Sequence, residues 1–173
     1  MAILVLISGS NNSGKSIYAE QLIAQTKGTR YYIATMLSCT EENRIRIEKH
    51  RAQRQGLGFE TLECPYQVGA APVAEGGVVL LEDVSNLLAN VMFEKGGDAN
   101  RVFDDIRDLD VRCRILVAVT ISGLEDDGYD AETAAYIDSL NRINQKLFDL
   151  ATVAISMQDG IPIYQKGDAH DLV

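Results

Sequence analysis

At 173 residues, with 46% hydrophobic and 24% charged content, the chain suits one globular domain, residues 1–173, that can bury a substantial core. A net charge of −9 argues against nucleic acid or an anionic membrane as partner, so any phosphate site must be locally basic in an acidic protein. Cys39, Cys64 and Cys113 are scattered with no C-x-x-C pair, which disfavours a zinc site or a disulfide framework and points to a reducing cytoplasm. The N-terminus lacks the basic start of a signal peptide, and its apolar run is too short to span a membrane.

The apolar run Ile3-Leu4-Val5-Leu6-Ile7 reads as a buried strand and leads into Gly9-Ser10-Asn11-Asn12-Ser13-Gly14-Lys15-Ser16. That octet is G-x-x-x-x-G-K-S, the phosphate-binding loop of nucleoside-triphosphate enzymes. The segment from Lys15 to Gln25, with Tyr18, Leu22 and Ile23 at helical spacing, supplies the helix such a loop requires. A strand, a glycine turn and a helix N-terminus together aim backbone N–H groups and a helix dipole at one anion. Gly9 permits the turn, and Gly14 lets the backbone approach the phosphates. Lys15 is expected to bridge the β- and γ-phosphates, and Ser16 to hold Mg²⁺.

Arg30 to Thr35 reads as a second strand, whose carboxyl end should point Thr35 toward the phosphate site. Ser38 with Glu41 forms a capping-box pattern ahead of a helix running to about Gln55. That helix has few apolar positions and carries Arg44, Arg46, Lys49, Arg51 and Arg54 around His50. Arg46, His50 and Arg54 recur every four residues and so form one stripe. Flanking guanidinium groups disfavour protonation of the imidazole and can clamp phosphate oxygens. A neutral histidine so placed could accept a nucleotidyl or phosphoryl group, although composition alone favours a solvated basic face with an incidental histidine.

Phe59 to Glu63 reads as a short strand ended by Cys64-Pro65, followed by a looser stretch to Gly77. Val78-Val79-Leu80-Leu81 then closes on Glu82 and Asp83. An acid at this place orients Mg²⁺ or its water shell; Glu82 is the expected one, with Asp83 capping the next helix. Helices follow over Val84–Lys95 and Asn100–Val111, and then a buried strand over Arg114–Thr120. After the acidic loop Ser122–Asp130 comes a long helix, Ala131–Leu150. Ala151–Ser156 and Ile161–Tyr164, joined through Asp159-Gly160, form a hairpin that leaves the last strand antiparallel at a sheet edge, where Pro162 is tolerated. The pattern predicts an α/β protein of the P-loop type, three-layered, with a mostly parallel sheet.

These residues resemble the bifunctional adenosylcobinamide kinase and adenosylcobinamide-phosphate guanylyltransferase family of cobalamin biosynthesis. The resemblance is carried by Gly9 to Ser16, Tyr32-Ile33-Ala34-Thr35, Arg46-Ile47 with His50 and Arg54, and Thr61 with Glu63. It continues through Leu80-Leu81-Glu82 with Asn90 and through Arg142 to Leu147. It implies that His50 is the guanylylated nucleophile and that Thr35, Arg46, Arg54, Glu63 and Glu82 contact nucleotide. It also implies ATP and GTP as substrates with Mg²⁺, a corrinoid acceptor, and a homotrimer. The family's T-N-E-V-G and G-x-G-I-V-P segments are missing here: Thr120 is followed by Ile121-Ser122-Gly123-Leu124-Glu125, and Tyr136-Ile137-Asp138 stands near the family's F-R-D. A P-loop kinase or nucleotidyltransferase with another acceptor, and a non-catalytic GTP-binding homologue, fit the same residues.

Overall fold

The computed structural model describes residues 2–125 and 127–172; Asp126 of the acidic loop lies outside them. Among the described residues, seven strands form one sheet: β1 Ile3–Gly9, β2 Arg30–Ala34, β3 Phe59–Glu63, β4 Gly77–Glu82, β5 Cys113–Ile121, β6 Val153–Gln158 and β7 Ile161–Lys166. Their order is β3-β2-β4-β5-β1-β6-β7. All neighbours are parallel except β6 and β7, which pair antiparallel at the edge as the Asp159-Gly160 turn predicts. The sheet is flanked by α-helices α1 Lys15–Ala24, α2 Glu41–Arg54, α3 Val84–Ala89, α4 Asn100–Asp110 and α5 Ala131–Leu150.

The continuous apolar strands are apolar because both sheet faces are covered. Alternate residues part to opposite sides. Leu4, Leu6, Ile33, Leu81, Leu116 and Ala118 join a core with Leu88, Ile106 and Leu140 of α3, α4 and α5. Val5, Ile7, Leu80, Val117 and Ile155 join the other core with Ala19 and Ile23 of α1. The phosphate-loop helix thus has a dry anchor, whereas α2 buries only Arg54 and leaves Ile45 61% exposed.

Several sequence expectations need adjusting. The cap of α2 is Thr40, whose Oγ1 accepts from Asn43 N–H at 3.1 Å; Ser38 is exposed and two residues too early, and Glu41 pairs with Arg44 instead. The helix expected to reach Lys95 turns into a π-helix over Asn90–Glu94, where Lys95 N–H reaches back five residues to the Asn90 carbonyl. The buried Asn90 side chain is meanwhile spent on the Thr35 and Pro65 carbonyls, at 2.7 and 2.9 Å. Strand β6 starts at Val153 rather than Ala151, because the Ala151 N–H still caps α5 on the Leu147 carbonyl.

Candidate active site

The turn between β1 and α1 is set by two glycines. A Cβ on Gly9 would lie 2.6 Å from Ser13 Oγ and 2.8 Å from the Met157 carbonyl oxygen, so only glycine fits. Gly14 has φ +91°, a conformation L side chains rarely adopt, and packs against Gly160 of the edge hairpin. The Gly160 N–H donates to the Ser13 carbonyl at 3.0 Å, and the Ser122 N–H donates to the Gly9 carbonyl at 3.1 Å. Strand ends on both sides therefore brace the loop.

Lys15 is 8% exposed, and its ammonium donates to the Ser10 carbonyl at 2.8 Å. Burial pulls its pKa below the ordinary lysine value; Asp83 and Glu82 oppose that, and Arg46 adds to it. The Ser16 hydroxyl donates to Glu82 Oε1, while Glu82 Oε2 is buried with no partner. Burial, then the neighbouring Asp83, pushes the Glu82 carboxyl well above the usual carboxylate range. Nearby positive charge would relieve this strain, and an orphaned carboxylate oxygen beside a serine hydroxyl is a fitting partial shell for Mg²⁺. Among the described residues there is no cluster of three or more acidic, histidine or cysteine side chains that could hold a metal alone. That suits an ion completed by phosphate oxygens and water.

Strand register brings the other carboxylates into line. Ala34 at the carboxyl end of β2 pairs with Glu63 on one side and Glu82 on the other. Thr35, one residue on, is fully buried and does not line the cavity. Its hydroxyl donates to the Glu82 carbonyl at 3.0 Å and accepts from Asp83 N–H at 2.9 Å, so it fixes the strand end that carries Glu82. Asp83 accepts from Asn86 N–H at 2.7 Å and caps α3.

One cavity of about 610 Å³ brings together Lys15, Ser16 and Glu82 with Arg46, His50 and Glu63. His50 is half-buried, with Nδ1 shielded and unpartnered. Burial first, then Arg46, Arg54 and Lys49, lowers its pKa below the ordinary 6.5 and keeps the ring neutral at pH 7. Arg46 stands exposed at the rim, whereas Arg54 is buried with its guanidinium 3.8 Å from the Tyr32 ring centroid and donates to Thr61 Oγ1 at 3.2 Å. Glu63 accepts from Arg51 at 3.0 Å. A roomier opening of about 730 Å³ adjoins along β3 and shares Arg51, Thr61 and Glu63, but it contains none of the phosphate loop. Gln53 and Asn86 also line this cavity, and sequence reasoning did not single them out; Arg51, read only as part of the basic face, lines it too. Gln53, three residues after His50, could have been found from helical spacing.

At the family's missing segment, Thr120 donates to Asn144 Oδ1 at 2.7 Å, and the Ile121 N–H donates to Ser85 Oγ at 2.8 Å. These bonds anchor the end of β5 without the missing residues.

A phosphate-loop turn at the carboxyl edge of a mostly parallel, helix-flanked sheet defines a protein of the P-loop fold class. Among solved structures it resembles an ATPase from the type III secretion system of pathogenic bacteria, with TM-score 0.56, 10% identity, and 98% of this chain and 60% of that one covered. A Pyrococcus horikoshii OT3 protein superposes with TM-score 0.54 at 10% identity, covering 99% of this chain and 89% of that one. These likenesses concern the fold alone. The chain belongs to the cobinamide kinase / cobinamide phosphate guanyltransferase family, whose model matches residues 5–164. It is 30% identical over 172 residues to the bifunctional adenosylcobalamin biosynthesis protein CobP of Pseudomonas aeruginosa, covering 94% of this chain and 97% of that protein. It is 35% identical over 99 residues to the bifunctional adenosylcobalamin biosynthesis protein CobU of Escherichia coli K12. That second match spans 56% of this chain and about half, 54%, of the relative, as does the match to the Salmonella typhimurium protein of the same name. Among the described residues, no helix is long and apolar enough to cross a membrane.

Proposed function

We propose that this protein phosphorylates adenosylcobinamide with ATP or GTP and then transfers GMP from GTP, through His50, to adenosylcobinamide phosphate. The observation that carries this reading is a single cavity holding both a phosphate loop and a neutral histidine between Arg46 and Arg54.

In the kinase step the aminopropanol oxygen attacks the γ-phosphorus, the bond to the β–γ bridging oxygen breaks to release the nucleoside diphosphate, and the hydroxyl proton passes to water. Lys15 exchanges the Ser10 carbonyl for the β- and γ-phosphate oxygens and neutralises charge that grows in the transition state. When bound, Mg²⁺ would supply further charge neutralisation, and Ser16 and Glu82 are the residues that would hold it. In the transferase step a nitrogen lone pair of neutral His50 bonds to the α-phosphorus as the bond to the α–β bridging oxygen breaks and pyrophosphate leaves. Arg46 and Arg54 hold the α-phosphate oxygens. A phosphate oxygen of adenosylcobinamide phosphate then attacks the same phosphorus, the P–N bond breaks, and His50 is regenerated with adenosylcobinamide-GDP as product. A homotrimer in the cytoplasm belongs to the same reading.

Turnover tests it. The protein should release pyrophosphate from GTP stoichiometrically in the absence of acceptor and catalytically once adenosylcobinamide phosphate is added. Equal, slow GTP hydrolysis with and without the corrinoid would leave a nucleotide-binding homologue as the better description.

A further inference from the structure

The His50 helix has little apolar anchorage, yet its nucleophile must keep a fixed distance from the phosphate loop. The feature that meets this need lies behind the cavity wall. Glu20 of α1 is 2% exposed, and its Oε2 accepts from Gln53 Nε2 of α2 at 2.7 Å. Its other oxygen, Oε1, is buried without a partner. Burying a carboxylate whose one hydrogen bond comes from a neutral amide is costly. Its position between the two helices gives the residue a role. Glu20 follows Ser16 by four residues on one helix, and Gln53 follows His50 by three on the other. Each partner sits one turn from a reactive side chain, on the same helix face.

We propose that Glu20 is a positioning residue: its bond to Gln53 locks the His50 helix against the phosphate-loop helix. The inference rests on the guanylyl-transfer reading and extends it to a residue outside the cavity. Ser16, Glu20, Gln53 and His50 form one rigid path, and rigid helices set the separation between the β/γ-phosphate cradle and the atom that attacks the α-phosphorus. Arg54 lies near enough to Glu20 to stabilise its charge, and it adds a second attachment for α2 through Tyr32 and Thr61. Burial raises the Glu20 carboxyl pKa, while the Gln53 donor and Arg54 pull it back.

The test compares Glu20→Ala, Gln53→Ala, Glu20→Gln and the exchanged pair Glu20→Gln with Gln53→Glu. It measures single-turnover guanylylation at saturating GTP, GTP affinity, and amide hydrogen exchange over residues 46–54. Either alanine variant should guanylylate roughly 10- to 100-fold more slowly at saturation, as expected for a misplaced nucleophile. Exchange in α2 should quicken in both, while the GTP affinity of Glu20→Ala changes by less than about threefold, because Glu20 lies outside the cavity and the phosphate loop is untouched. Glu20→Gln keeps an acceptor oxygen and should stay near wild type, and the exchanged pair should regain most of the rate and protection. Wild-type rate and exchange in Glu20→Ala, or a defect that the exchanged pair leaves unrepaired, would overturn the latch. If the wild-type protein itself takes up no GMP, the guanylyl-transfer reading fails, and hydrogen exchange alone still decides whether the latch exists.

Discussion

The phosphate loop and the His50 helix face the same cavity but are held in place by different physics. The loop hangs from the centre of the sheet: β1 is paired on both sides, α1 packs Ala19 and Ile23 into a dry core, and the hairpin at Gly160 presses on Gly14. The helix lies beyond the core, with Ile45 in solvent, and is held by Gln53 on Glu20, Arg54 on Tyr32 and Thr61, and Arg51 on Glu63. Each net polar contact of that kind is worth about 1 kcal/mol, whereas each fully buried aliphatic side chain contributes about 1.5–3 kcal/mol. The phosphate loop is thus part of the folding core, and His50 rides on an attached helix whose placement is polar rather than hydrophobic.

Substitutions should separate the two regions, starting with stability. Gly9→Val puts side-chain atoms into the Met157 carbonyl and the Ser13 hydroxyl, so it should cost about 2–3 kcal/mol and abolish nucleotide binding. Ile45→Ala in the helix should change stability by less than about 0.5 kcal/mol. Urea titrations of both variants test the contrast, and equal losses would break it.

The next largest effect is on rate. Lys15→Ala should lower γ-phosphoryl transfer by roughly 100-fold or more while leaving the melt nearly unchanged, because the lysine's charge acts on the transferring phosphate. Normal turnover in a folded variant would remove Lys15 from that role. Glu82→Gln keeps an oxygen for the Ser16 hydroxyl but loses the charge. It should weaken magnesium-dependent turnover by roughly 10-fold and spare metal-free nucleotide binding. A lower melting temperature with unchanged kinetics in a magnesium titration would instead assign Glu82 to structure.

The smallest expected effect sharpens the helix side. Because burial and the nearby cations lower the His50 pKa below 6.5, its neutral, nucleophilic form predominates at pH 6.5, and guanylylation should decline only in more acid solution. Removing a positive neighbour makes protonation easier. Arg46→Ala should therefore move the acid limb to higher pH, besides slowing the reaction. An unmoved limb in a pH–rate profile would show that Arg46 does not set the imidazole's charge.

The same contrast explains what could be read from the residues alone. The loop was legible because G-x-x-x-x-G-K-S and the apolar run before it are local consequences of local geometry, as is the Asp159-Gly160 turn that makes β7 antiparallel. The α2 stripe was legible as helical spacing, but spacing alone could not tell a phosphate clamp from a solvated face; only the family resemblance favours the clamp. Long-range contacts were hidden. Nothing near Thr35 signals that its hydroxyl is taken up by the backbone of Glu82 and Asp83, because the register that joins β2 to β4 spans some fifty residues. Nor does the α1 sequence indicate that Glu20 meets Gln53, since a carboxylate on an amphipathic helix ordinarily reads as solvent-exposed.

The most direct test of the account is the intact mass of the protein after incubation with GTP and Mg²⁺ and no acceptor. The account predicts an increase equal to one GMP, stable in alkali and lost in acid, because protonating the phosphoramidate nitrogen makes histidine a leaving group. Peptide mapping should place it on His50, and His50→Ala should lose it while still binding GTP at Gly9 to Ser16. A wild-type protein that binds GTP and remains unmodified, or an adduct that maps to another residue, would contradict it.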